Sequence, residues 1–131
     1  MLWRRDIRAN VQIVTTDSRR VAALRVVFGT VNLLFINVYL PYEDSEANLD
    51  EFNFQLSVIN SVVEKHQDCE IILGDFNVNF SRNWSYTDLL NDFCNRINLY
   101  PSICSSVDYK YHFGFTRFNV LDHFIVSGYY L

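Results

Sequence analysis

A chain of 131 residues makes at most one domain, long enough to enclose a real core, and with half its residues hydrophobic and 16% aromatic it is not a disordered polypeptide. The net charge of −4 is uneven: residues 1–25 hold six arginines against Asp6 and Asp17, or +4, so the remainder sums to −8. A local basic face of this kind is compatible with nucleic acid, although a solvated surface is the simpler reading of charge alone.

The longest apolar run, Val31 to Leu40, is interrupted by Asn32 and Asn37 and is too short to cross a bilayer, so no membrane association is expected. No apolar signal core follows the opening Met-Leu-Trp-Arg-Arg-Asp. Cys69, Cys94 and Cys104 are odd in number and lack metal-ligand spacing, which fits buried free thiols in a reducing, intracellular compartment. His66, His112 and His123 are equally scattered, and a zinc site is not expected.

Val11-Gln-Ile-Val-Thr alternates as a strand does. Val21 to Phe28 and Val31 to Tyr39 are β-rich and separated by Gly29-Thr30, which predicts a hairpin whose second strand Pro41 stops. Asp44 or Ser45 offers an N-cap, and Leu49, Phe52, Leu56, Ile59 and Val63 follow at helical spacing to about His66. Glu70 to Leu73 then predicts a buried strand. Ser85-Tyr-Thr-Asp88 resembles a capping box for a second amphipathic helix carrying Leu89, Leu90, Phe93 and Ile97. From about Tyr109 the tail is aromatic and β-like, closing on Val120 to Val126. The order β-β-β-α-β-α-β implies a mixed α/β domain with helices covering sheet faces.

Three strands deliver a polar residue to their ends. In Glu70-Ile-Ile-Leu-Gly-Asp-Phe-Asn77, an extended backbone sets Asp75 and Asn77 side by side and turns Phe76 and Val78 into the core. A carboxylate beside an amide can take a proton from water and hold that water; the alternative is a turn in which both side chains bond local backbone. Ile36-Asn-Val-Tyr39-Leu-Pro41 presents a tyrosine whose hydroxyl could meet a phosphate oxygen, or whose ring could simply pack. In Leu121-Asp122-His123-Phe-Ile125, neighbours along a strand face opposite ways, so Asp122 and His123 do not form a dyad.

Taken in order, the strand ending in Tyr-x-Pro, Gly-Asp-Phe-Asn and the Leu-Asp-His strand resemble the endonuclease/exonuclease/phosphatase superfamily. Leu2-Trp-Arg-Arg-Asp6, Ser18-Arg-Arg-Val21 and Leu121 to Ser127 look most like its branch of endonuclease domains from LINE-type non-LTR retrotransposons. The resemblance implies a partial four-layer α/β sandwich, a single incomplete domain over residues 1–131, and Mg²⁺-dependent hydrolysis of a phosphodiester in DNA. Tyr39 would contact the scissile phosphate, Asp75 would activate or position water, Asn77 would steady both, and Asp122 would be the carboxylate that orients a catalytic histidine. Arg4, Arg5, Arg19, Arg20 and Thr116 would lie near the nucleic acid. A reverse transcriptase domain in the full-length protein, and a nuclear location for action on genomic DNA, belong to the same implication.

The superfamily's metal-binding glutamate and its final Ser-Asp-His have no counterpart between residues 1 and 131, so truncation at both ends and an inactive isolated chain are the expectation. His123 is not promoted to the missing histidine. The other readings are a non-catalytic remnant that binds nucleic acid or protein through its arginines, and a phosphodiesterase acting on a small or lipid phosphoester.

Overall fold

The computed structural model describes residues 9–42, 45–66, 69–78, 85–102, 111–112, 118–119 and 122–127. The described residues begin with three strands: β1 (Asn10–Val14), β2 (Val21–Phe28) and β3 (Val31–Tyr39). They run antiparallel in sequence, and Gly29 turns β2 into β3 with φ 59°, which glycine adopts without steric cost. The predicted hairpin is present, and β3 ends two residues before Pro41.

Helix α1 (Glu46–His66) follows, capped where Ser45 Oγ accepts the Asn48 N–H at 3.3 Å. Phe52, Leu56, Ile59 and Val62 form its buried stripe, Val62 taking the place assigned above to Val63. Strand β4 (Cys69–Asp75) returns parallel to β3, as a crossover through a helix requires. Helix α2 (Ser85–Arg96) buries Tyr86, Leu90 and Phe93, and the Tyr86 ring lies 4.4 Å from that of Phe52, which joins the two helices.

Beyond α2 come β5 (Leu99–Pro101), a two-stranded ribbon of β6 (Tyr111–His112) and β7 (Phe118–Asn119), and β8 (Asp122–Ser127). The six-stranded sheet has the order β1-β2-β3-β4-β8-β5. The short β5, unforeseen above, pairs with β8. Three residues ending in proline carry too little pattern to announce an edge strand.

The two faces of the sheet differ. Ala23, Leu34, Ile36, Val38, Ile72 and Ile125 point to the helices and form one continuous core with Phe52, Leu90 and Phe93. By register, Leu24, Leu33, Phe35, Ile71 and Leu73 share the opposite face. Ile13 and Phe124 on that face are 75% and 58% exposed, and Leu24, although buried, is not part of the helix-side core. The described residues thus build a helical layer and a sheet. No helix among them is long and apolar enough to cross a membrane.

Candidate active site

The parallel register sets Tyr39 of β3 beside Asp75 of β4, and the antiparallel register sets Asp75 opposite Asp122 of β8. Three adjacent strands therefore end on one row, Tyr39–Asp75–Asp122, with neighbouring backbones about 5 Å apart. The positions are 36 and 47 residues apart in the chain, and the fold alone brings them together.

Two devices fix the Asp75 end of that row. Gly74 has φ 135°, and a Cβ added there would stand 2.1 Å from the Val38 carbonyl oxygen, so β4 can approach β3 this closely only without a side chain. After Asp75 the chain leaves the strand. Asn77 takes the left-handed conformation with φ 52°, its N–H donates to Asp75 Oδ1 at 3.0 Å, and its Nδ2 donates to the Leu40 carbonyl at 2.8 Å. The extended, side-by-side arrangement of Asp75 and Asn77 is thereby corrected. The pair is tied through an Asx turn, because an asparagine in the left-handed region ends the pleat.

The turn does not displace the functional reading. It locks one carboxylate oxygen of Asp75 and clips the Gly-Asp-Phe-Asn segment to the residue after Tyr39. Leu40 completes the link by donating its N–H to the Asp75 carbonyl at 2.9 Å. Phe76 and Val78 are buried, as the alternation predicted. His123 takes the register position opposite Gly74, on the row next to Asp75. Its Nε2 lies 2.6 Å from the Val78 carbonyl, and its ring centroid 5.9 Å from that of Phe76. This buttress behind the turn escaped the sequence, which gave it no signal beyond alternation.

Tyr39 is 57% exposed at the sheet end, and Asp75 and Asn77 are half-buried. Arg20 lies beside them, with its guanidinium carbon 5.2 Å from the Tyr39 ring centroid, while Arg19 is exposed. Arg4, Arg5 and Thr116 lie outside the described residues. A cleft of about 470 Å³ between α1 and α2, lined by Asn53, Leu89, Phe93 and Arg96 among others, includes none of the row residues. The candidate site is an open sheet end.

Among the described residues no three His, Cys, Asp or Glu side chains gather as a metal site. These residues do not by themselves fit the magnesium ion implied by the resemblance. Cys94 lies on the buried face of α2, and burial pushes its thiol up to about 12. It takes no part in the row.

No family model matches the sequence, and no curated protein does. Solved structures match strongly. The endonuclease domain of TRAS1, a telomere-specific non-LTR retrotransposon, aligns over 95% of this chain and 58% of its own length, with TM-score 0.74 and 13% identity. The human Nocturnin catalytic domain with bound sulfate aligns over 90% and 48%, with TM-score 0.60 and 14% identity. A Neisseria 3′ phosphatase, NExo, bound to a product DNA hairpin, aligns over 91% and 58%, with TM-score 0.59 and 18% identity. Bacterial endonuclease/exonuclease/phosphatase family proteins match in the same way. At these identities the likeness shows the fold, which is that of endonuclease/exonuclease/phosphatase proteins. The chain spans about half to three-fifths of the length of these structures.

Proposed function

We propose that this chain, having the endonuclease/exonuclease/phosphatase fold, carries the central part of a site that hydrolyses a phosphodiester in DNA. The observation that carries the proposal is the row Tyr39–Asp75–Asp122, assembled from three distant segments at one sheet end and braced by Asn77. The hydroxyl of the exposed Tyr39 donates to a phosphate oxygen. Asp75, oriented by the Asn77 N–H, accepts the proton of the attacking water. Asn77 keeps the Asp75 turn fixed relative to β3, and Asp122 occupies the adjacent register position. The exposed Arg19 attracts the DNA backbone.

The described residues do not complete the constellation such a hydrolysis needs, and groups that act as a unit lose most of the rate when members are missing. The chain alone is therefore expected to be a poor catalyst. The likeness to a retrotransposon endonuclease favours a full-length protein that also carries a reverse transcriptase and works on genomic DNA in the nucleus.

Nicking of supercoiled plasmid in magnesium buffer tests both halves. The chain alone is expected to leave the plasmid intact. Nicking abolished by Asp75→Ala would overturn the incompleteness and uphold the chemistry; nicking that survives Asp75→Ala would overturn the assignment of the site.

A further inference from the structure

Arg20 was grouped above with residues that touch nucleic acid, yet its contacts are made inside the protein. Its carbonyl accepts the Tyr39 N–H at 2.9 Å, its Nη1 donates to the Tyr39 carbonyl at 3.3 Å, and its guanidinium lies over the Tyr39 ring. Both main-chain polar groups and the ring of Tyr39 are thus engaged by one residue. Arg20 is itself held. Its Nε lies 3.5 Å from Glu51 Oε1, which also accepts Gln55 Nε2 at 2.7 Å. Gln55 is fully buried in α1, and its Oε1 accepts the Ser18 hydroxyl at 2.5 Å. Ser18 Oγ in turn accepts the Arg20 N–H at 2.9 Å and so closes the circuit.

We infer that Arg20 is a positioning residue for Tyr39, holding the phenol ring over the sheet end against a brace formed by Glu51, Gln55 and Ser18. The inference rests on the reading of Tyr39 as the group that meets the phosphate. An exposed tyrosine at a strand end has free torsion about its side-chain bonds. A cation held over its face, and bonded to its own carbonyl, removes that freedom at little desolvation cost. Arginine suits this task better than lysine, because separate N–H groups reach the Tyr39 carbonyl and Glu51 while the cation stays over the ring. Glu51 neutralises the guanidinium locally, which leaves the exposed Arg19 as the better cation for a DNA backbone.

The test uses the chain with ¹³C-labelled tyrosine, the Tyr39 ring signal being the one lost in Tyr39→Phe, and a 12-base-pair duplex as probe. Arg20→Met and Arg20→Lys are both expected to shift the Tyr39 ring signal and leave the other tyrosines in place. Both should weaken duplex binding about fivefold in the wild-type background, and not in the Tyr39→Phe background. Glu51→Gln, which loosens the brace without touching the arginine, is expected to move the same signal less. An unmoved Tyr39 signal in Arg20→Met overturns the inference. So does equal weakening in both backgrounds, which would make Arg20 a direct phosphate ligand. A shifted Tyr39 signal together with a Tyr39→Phe variant that binds duplex like wild type upholds the positioning and overturns the phosphodiester reading.

Discussion

Tyr39 and Asp75 stand side by side at the last rung of the parallel β3–β4 ladder, and the Asn77 side chain fastens the Asp75 turn to Leu40, the residue after Tyr39. A hydroxyl donor and a carboxylate are thereby held in fixed relation by main-chain geometry. The consequences can be measured on stability and on binding.

Gly74→Ala should damage the fold itself. The new Cβ would meet the Val38 carbonyl oxygen at 2.1 Å and the Val38 nitrogen at 2.9 Å, on a backbone with φ 135°. Neither neighbour is a movable side chain. A loss on the order of 3 kcal/mol or more is expected in urea denaturation, or failure to accumulate soluble protein. A loss below about 1 kcal/mol would show that β3 and β4 are not this close.

Substitutions at Asn77 separate its hydrogen bond from its backbone. Asn77→Gly removes the bond to Leu40 but suits φ 52°, and should cost about 1 kcal/mol. Asn77→Ala loses the bond and adds left-handed strain, for about 2 kcal/mol in all. Equal losses in the two variants would contradict the left-handed turn.

Cys94 sets an alkaline limit on stability. Burial pushes its folded pKa up to about 12, above the ordinary thiol value of 9.0, so unfolding releases a proton in that window. The group's contribution is complete below pH 9 and is lost as pH rises towards 12. Chemical denaturation across this range should show the wild type falling more steeply than Cys94→Ala, by up to about 1.4 kcal/mol per pH unit. Parallel profiles would contradict a buried, protonated thiol.

Arg19 is exposed and precedes Arg20 in the chain, so its effect on DNA binding should be electrostatic. Arg19→Ala is expected to weaken duplex binding at every sequence tried, and to reduce the slope of log affinity against log salt by about 1. An unchanged slope would remove Arg19 from the interface.

Much of this was legible in the chain. The alternation of β2 and β3, the glycine between them and the apolar spacing of α1 are local signals, and each produced the element expected. The motif residues Tyr39, Asp75 and Asp122 were singled out because each ends an apolar run. That they share one row depends on β8 entering between β4 and β5, a pairing across some fifty residues that no local pattern encodes. The Asn77 turn was misread as extended, because Asp-x-Asn is compatible with both conformations and only the path of the following chain decides. Ser18, Gln55 and His123 were invisible for a related reason. Their roles are hydrogen bonds to partners far along the sequence, and a polar residue on a helix or strand gives no sign of the partner it will meet.

The most direct measurement is a titration of the isotope-labelled chain with a 12-base-pair duplex in metal-free buffer, for the wild type and Asp75→Asn. If the row is a phosphodiester site, shifts centre on Tyr39, Asp75 and Asn77, and Asp75→Asn binds several-fold more tightly, because a carboxylate that repels the phosphate has been removed. Shifts centred elsewhere, or an Asp75→Asn variant that binds no better than wild type, would contradict the account.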